Sequence, residues 1–246
     1  MTLRVERQPG CWTLVLERAD KANALSEELV EALIAAVADA EASGVPVLAF
    51  RGAGRNFSAG FDFTGFEEQS QGDLVQRFIR LETLLQRVAR SHCLTVAFAH
   101  GRNFGAGVDL LGACRWRIAA AGSTFRMPGL AFGLVLGTRR FAAVVGAERA
   151  REILEGLVTF DAARALEIGF ASRIAAEDAW PALLGDAVAT AGALPATSRA
   201  ALYDVLDPAT DARDMADLVR SASAPGLKDR IRDYLAAQRR QRQTKS

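Results

Sequence analysis

Apolar strands and amphipathic helices alternate along the first half of the chain, and this alternation restricts the possible folds more than any other feature. Apolar runs at residues 12–16, 45–50 and 94–99 predict buried strands. The segments 27–42 and 72–90 between them carry apolar residues at helical spacing. Because parallel strands need long crossover connections, this order predicts an α/β fold built on a parallel sheet.

The elements around this pattern follow from local signals. Residues 1–18 predict a hairpin that turns at residues 8–10, and Ser26 is a suitable N-cap for the helix at 27–42. Asp161 has the same role for a helix at 162–168. Further strands are predicted at 116–120 and 123–126, and further helices at 146–156, 178–191, 196–220 and 226–243.

Two glycine-rich loops, at residues 51–62 and 100–107, each follow a buried strand. The carboxyl ends of parallel strands lie at one edge of a sheet, so we expect the two loops to converge there, where ligands bind. The second loop leads into a helix with Asp109 in its first turn, and the backbone N–H groups of a helix start can hold an anion. The alternative is that the glycines only allow close packing and Asp109 only complements the helix dipole.

A dinucleotide fingerprint fits this loop poorly. Gly105 and Gly107 give the first half of the G-x-G-x-x-G pattern, but Leu110 stands where the third glycine is needed. The acidic residue expected after the next strand is also absent from the sequence.

Charge and cysteine content exclude several other classes. The 246 residues contain 30 Lys or Arg and 29 Asp or Glu, a net charge of +1, which argues against a nucleic-acid partner. Cys11, Cys93 and Cys114 lie far apart, so neither a zinc site nor a disulfide framework is expected, and no metal site is predicted. The sequence has no signal-peptide core and no run that could cross a bilayer, so we expect a cytoplasmic protein with no membrane partner.

Six motifs in order point to one protein family. They are RADKANAL at 18–25, FSAGFD at 57–62, GRNFGAGVDL at 101–110, CRWRIAA at 114–120, FGLVLG at 132–137 and VGA at 145–147. With these motifs the chain resembles the enoyl-CoA hydratase/isomerase (crotonase) family over roughly residues 10–180. The resemblance implies a crotonase-like spiral of ββα turns in place of a simple open sheet.

The same resemblance implies a domain organisation and a substrate. Residues 1–180 would form the spiral core that carries an acyl-CoA site, and residues 181–246 would form a helical region for trimerisation or for a lid. Members of the family are mostly homotrimers or dimers of trimers. Coenzyme A would enter as part of an acyl-CoA thioester substrate, with no other cofactor.

The family's site residues fall on identifiable positions. The backbone N–H groups of Phe61 and Ala106 would form an oxyanion hole for the thioester oxygen, a device worth roughly 3–4 kcal/mol for each donor. Asp109 stands at the first of the family's two catalytic carboxylates and would act as the acid or base. Coenzyme A contacts would fall on Lys21, Ala22, Ala24, Ala59, Gly60, Asp62 and Gly105, although Lys21 could equally be an ordinary surface lysine.

One departure from the family pattern leaves the reaction open. The second catalytic carboxylate follows a proline in the family, and here Gly129 follows Pro128. A positioned proton-transfer group is worth about 10²–10⁴-fold in rate, so ordinary hydration of an enoyl-CoA is expected to be poor. Asp62 and Glu67 are candidates for the missing acid, and Arg139 or Arg140 for entry into the site, with a surface role favoured for either arginine.

Three hypotheses remain. The first is an enzyme of the hydratase/isomerase type in which Asp109 alone serves isomerisation, hydration or hydrolysis of an acyl-CoA. The second is an acyl-CoA-binding or scaffold member of the family that has lost its chemistry. The third is a binding module of another class, such as a nucleotide binder.

Overall fold

The computed structural model describes residues 2–207 and 209–243. Its strands are β1 (Leu3–Gln8), β2 (Cys11–Leu16), β3 (Val47–Gly52), β4 (Leu94–Ala99), β5 (Arg102–Phe104), β6 (Trp116–Ala119), β7 (Thr124–Arg126), β8 (Phe160–Asp161) and β9 (Arg173–Ile174). Its α-helices are α1 (Glu27–Ala42), α2 (Gln71–Arg90), α3 (Ala106–Ala113), α4 (Thr138–Val145), α5 (Ala147–Glu155), α6 (Ala162–Glu167), α7 (Trp180–Gly192), α8 (Ala196–Leu206), α9 (Asp211–Ala222) and α10 (Leu227–Gln243).

Two sheets form the core of the spiral. The larger has the order β1-β2-β3-β4-β6-β9, in which only β1 and β2 pair antiparallel. The smaller has the order β5-β7-β8 and lies next along the spiral. This confirms the predicted α/β class, with helices at the C-terminal end of the described chain.

The side chains of the central strands alternate between two apolar clusters. On β3, Leu48 and Phe50 pack with α1 and α2, whereas Val47 and Ala49 pack with Trp180 and the rest of α7. This is the period of two that a strand buried on both faces requires. The large sheet therefore lies between helices on both sides.

A third apolar cluster joins the C-terminal helices to the core. Leu218 on α9 and Ile231 on α10 are fully buried with Phe78 of α2 and with Phe132 and Leu134, which lie in and just after a short 3₁₀-helix at Gly129–Phe132. The helices after residue 180 thus cover one end of the core. The boundary at residue 180 falls where α7 begins, and the division of the chain into two regions stays a prediction.

Local capping set the helix starts where the sequence predicted them. The Ser26 hydroxyl accepts a hydrogen bond from the amide of Leu29 at 3.3 Å, and the Asp161 carboxylate accepts one from the amide of Arg164 at 2.8 Å. One predicted helix is wrong: residues 196–220 form two helices, α8 and α9. No helix of the described residues is long and apolar enough to cross a membrane.

Candidate active site

A cavity of about 310 Å³ opens where the two glycine-rich loops, the 3₁₀-helix and α10 meet. Most of the side chains around it are aromatic or aliphatic. Those used below are Phe61, Phe63, Met127, Leu130, Phe132, Leu134 and Tyr234. Ala59, Gly105, Ala106 and Asp109, all predicted as site residues, also line it.

The first loop presents the amide of Phe61. On either side of it, the amide of Gly60 donates to the Ser58 hydroxyl at 3.1 Å, and the amide of Asp62 donates to the carbonyl of Leu25 at 3.2 Å. The carbonyl of Gly60 accepts from the amide of Leu25 at 2.7 Å. Within the described chain the Phe61 amide has no acceptor of its own.

The second loop presents the amide of Ala106 in the same way. Gly105 is the N-cap of α3, with φ 50°. Its amide donates to the carbonyl of Arg126 at 2.8 Å, and its carbonyl accepts from Val108 at 2.8 Å and from Asp109 at 3.1 Å. As the first residue of the helix, Ala106 has no intrahelical acceptor for its amide.

The two loops touch at Gly60. A Cβ atom at this position would lie 2.3 Å from the carbonyl oxygen of Phe104 and 3.1 Å from the amide nitrogen of Ala106. Only glycine permits this approach, which brings residues 60 and 61 beside the start of α3. Two backbone donors with no other acceptor then line one cavity, an arrangement that can hold an anionic oxygen.

Asp109 is the carboxylate among the described residues that line the cavity. Its side chain is 7% exposed, and its Oδ1 atom has no hydrogen-bond partner among the described residues. Burial raises the pKa of this carboxyl well above its ordinary value; the charge of Arg140 lowers it in part and that of Glu82 raises it further. A buried carboxyl with a raised pKa and no fixed partner is suited to proton transfer.

Gly137 holds the carboxylate of Asp109 in place. It is the N-cap of α4, and a Cβ atom there would lie 2.0 Å from Oδ1 of Asp109. The start of α4 therefore packs directly on the carboxylate.

No second carboxylate lines the cavity within the described chain. Gly129 does line it, which places the family's second catalytic position at the cavity wall without a proton-transfer group. Burial alone would raise the pKa of Asp62, but hydrogen bonds from Thr64 and Arg18 bring it below its ordinary value, and Arg18 pairs with it at 2.8 Å. Glu67 is exposed and pairs with Arg232 at 2.9 Å, and neither carboxylate reaches the cavity.

The two arginines of α4 also point elsewhere. Arg139 pairs with Asp214 and with Asp217, the latter at 2.8 Å, and so ties α4 to α9. Arg140 pairs with the buried Glu82 of α2. Neither arginine lines the cavity, but the surface role favoured from the sequence does not describe Arg140, whose side chain is 11% exposed in its ion pair with Glu82.

The residues predicted to contact coenzyme A fall into two groups. Ala59 and Gly105 line the cavity, and Gly60 supports it. Lys21, Ala22, Ala24 and Asp62 lie outside its lining, in or beside the first loop, where the carbonyl of Ala22 accepts from the amide of Ala59 at 2.9 Å. Lys21 is exposed, and its contact with coenzyme A stays a prediction.

The sequence analysis missed most of the cavity wall. Phe132 and Leu134 sit in and after a 3₁₀-helix that has no sequence periodicity, and Tyr234 and Leu235 come from α10. The available signal was the apolar spacing of Leu227, Ile231 and residues 234–235, which gives α10 one face to bury. In the described part of the chain no cluster of three His, Cys, Asp or Glu side chains could hold a metal ion.

Comparisons with known proteins assign the chain to a family. The model of the enoyl-CoA hydratase/isomerase family matches residues 6–220. The chain belongs to the enoyl-CoA hydratase/isomerase family. It is 32% identical over 189 residues to a protein named probable enoyl-CoA hydratase echA6 from Mycobacterium leprae, with 72% of this chain and 74% of that protein covered.

Solved structures of the family agree. One from Bordetella parapertussis, assigned as an enoyl-CoA hydratase/isomerase, is 57% identical, covers 96% of this chain and 99% of its own, and superposes with a TM-score of 0.95. The enoyl-CoA hydratase of Bacillus halodurans is 18% identical with a TM-score of 0.83, over 95% of this chain and 100% of its own, and shares the fold. The chain is therefore a member of an enzyme family of the hydratase/isomerase type. Its exact reaction has to be inferred from its own residues.

Proposed function

We propose that this protein moves a proton within an acyl-CoA thioester, with Asp109 as the only acid or base, and so shifts the position of a carbon–carbon double bond. The observation that carries the proposal is the unpartnered, buried Oδ1 of Asp109 in the same cavity as the unpaired amides of Phe61 and Ala106. The amides would hold the thioester oxygen while Asp109 acts on the acyl chain.

The proton transfer balances with one carboxylate. Asp109 removes a proton from the α-carbon of an enoyl group whose double bond lies one carbon too far from the thioester. The electron pair moves onto the thioester oxygen, where the two amides and the start of α3 stabilise the negative charge. Asp109 then returns the proton to the γ-carbon, and the double bond ends between the α- and β-carbons.

Hydration requires more proton-transfer groups than isomerisation does. Water must be activated and a proton delivered to the α-carbon, which the family does with two carboxylates, and Gly129 leaves only one at the cavity. Most of the cavity lining is apolar, so few groups could orient a water molecule. Isomerisation therefore fits these residues better than hydration or hydrolysis.

The test is a mass-spectrometric assay with a straight-chain enoyl-CoA whose double bond lies between the third and fourth carbons. We expect an isomer of unchanged mass, with deuterium incorporated in heavy water. Asp109→Asn should lower the rate by about 10²–10⁴-fold, and Glu67→Gln, a carboxylate change outside the cavity, should not. A gain of the mass of water would indicate hydration, release of free coenzyme A would indicate hydrolysis, and no turnover of any thioester would indicate a binding or scaffold protein.

We also propose, as the family resemblance implies, that the protein assembles as a homotrimer or a dimer of trimers through its C-terminal helices. Helix α8 supports this because Val205 is 83% exposed and Leu206 is 69% exposed. Large apolar side chains that stand together on one helix are typical of an interface. A cytoplasmic location belongs to the same proposal, as do coenzyme A contacts at Lys21, Ala22, Ala24, Ala59, Gly60, Asp62 and Gly105.

A further inference from the structure

A row of aromatic rings leads away from the catalytic end of the cavity. Phe61 meets Phe63 edge to face, with ring centroids 5.0 Å apart, and Phe63 meets Phe132 in the same way at 5.9 Å. Phe132 in turn lies 5.1 Å from the ring of Tyr234. These four residues, the aromatic row, come from the first loop, the 3₁₀-helix and α10, and all of them line the cavity.

The position of Phe61 connects this row to the reacting group. Its amide is one of the two proposed donors to the thioester oxygen, and its ring is the first of the row. The ring is fixed from behind, stacked on Phe78 at 4.3 Å with the guanidinium of Arg77 also 4.3 Å from its centre. The row therefore begins at the residue whose amide would hold the thioester oxygen.

The cavity has room for a ring. An apolar protein cavity of about 150 Å³ binds benzene, and this one measures about 310 Å³. The space left over suits the thioester and the end of the pantetheine arm. Because Leu130, Leu134 and Met127 also line the cavity, the acyl end is surrounded by carbon on most sides.

The charges around the cavity argue against a charged acyl end. Asp109 and Arg239 are the charged side chains among the described lining residues, and Arg239 is exposed on α10. No buried cation of the described lining stands ready to pair with a terminal carboxylate.

From these observations we propose that the acyl group of the substrate is uncharged and ends in an aromatic ring, and that Phe132 selects it by edge-to-face contact. The proposal rests on the proposed function only in placing the thioester oxygen at Phe61 and Ala106. Aromatic rings pack edge to face at centroid distances of about 4.5–7 Å, the spacing already present along the row. A rigid ring also loses less conformational entropy on binding than a flexible chain.

The test compares two unreactive thioesters with nine acyl carbons each, phenylpropanoyl-CoA and nonanoyl-CoA, by isothermal titration calorimetry. We expect phenylpropanoyl-CoA to have a Kd roughly 2- to 10-fold lower, the range expected for one aromatic contact. Phe132→Leu removes the ring and keeps an apolar side chain, so it should abolish this preference while nonanoyl-CoA binds as before. Phe66→Leu is the matched control. The ring of Phe66 packs edge to face with that of Phe63, with centroids 6.4 Å apart, but Phe66 does not line the cavity.

The outcomes separate this inference from the proposed function. Equal or tighter binding of nonanoyl-CoA, or a preference that survives Phe132→Leu, overturns the aromatic assignment while acyl-CoA binding stands. If neither thioester binds more tightly than coenzyme A alone, both proposals fail. If Phe132→Leu does not fold, as judged by circular dichroism, Tyr234→Leu at the half-buried end of the row takes its place and should give the same loss.

Discussion

Asp109, the proposed acid or base, lowers the stability of the folded protein when it ionises. Its pKa is raised above the ordinary value of 3.8 by burial, so between these two pKa values the folded state binds more protons than the unfolded state. The free energy of unfolding therefore falls as pH rises through this window. A carboxylate kept under such conditions is typical of sites where stability is exchanged for activity.

Asp109→Asn should therefore stabilise the protein at neutral pH while it removes activity. The amide of asparagine does not ionise, so the variant avoids the loss that the wild type suffers as pH rises. We expect the Tm of the variant to exceed that of the wild type at pH 7, by roughly 2–4 °C for each kcal/mol, and the difference to shrink below about pH 4. Thermal melts across this pH range measure it, and a variant that melts lower at pH 7 would contradict the burial argument.

Replacing Gly137 should lower kcat about as much as replacing a charged side chain of the site would. In Gly137→Ala the new methyl group would occupy the place of Oδ1 of Asp109, 2.0 Å away, and the carboxylate would have to move. A displacement of about 1 Å can cost roughly 10²-fold in rate, so we expect kcat to fall by that order. Gly44→Ala is the control because Gly44 has a similar φ, 69° against 63°, and nothing within 4 Å of the added atom. If both variants lose activity equally, backbone strain and not the carboxylate is responsible.

The 3₁₀-helix at Gly129–Phe132 contributes both Gly129 and Phe132 to the cavity lining. Its first residue lines the cavity, and a Cβ atom there would lie 3.1 Å from the carbonyl oxygen of Leu134, a contact that small shifts relieve. A longer side chain at position 129 can therefore enter the cavity without unfolding the element. In this chain the position is left without a proton-transfer group.

Gly129→Glu should increase the hydration activity of the site. With a carboxyl on each side of the substrate, one can activate water while the other delivers the proton. We expect hydration of an enoyl-CoA to rise by roughly 10- to 100-fold, below the 10²–10⁴-fold of a fully positioned group. Gly129→Gln has the same shape without the acid, and an equal gain in that variant would show that shape alone is responsible.

Elements with local signals were predictable, and those that depend on distant partners were not. Helix α1 and strand β4 have the predicted bounds because Ser26 and the apolar run at 94–99 act locally. Strands β5, β8 and β9 have two or three residues each and exist only by pairing with β7 and β6, which no local pattern encodes. The break between α8 and α9 did have a signal, Pro208, since proline disfavours the helical conformation of the residue before it.

The same contrast holds for the site across the whole molecule. The glycines of the two loops were visible in the sequence, and the structure brings Gly60 against the amide of Ala106 as convergence at a sheet edge requires. The far wall was not visible, because Tyr234 reaches the cavity only when α10 folds back over the core. A single-sequence argument thus finds the glycine-rich end of the cavity and misses its opposite, apolar wall.

The proposed assembly through α8 can be tested on the complete protein. On α8 the apolar side chains of Leu202, Val205 and Leu206 are 44%, 83% and 69% exposed. Exposing apolar side chains to water does not stabilise an isolated chain, so this surface is typical of an interface. Val205→Asp should therefore lower the mass measured by size-exclusion chromatography with light scattering from a trimer or hexamer to a smaller species, because the interface would bury an unpaired charge. Val158→Asp changes another exposed valine, 37% accessible and away from α8, and should leave the mass unchanged. A wild-type protein that is monomeric, or a Val205→Asp variant that stays assembled, would place the contact elsewhere and leave α8 without a role in assembly.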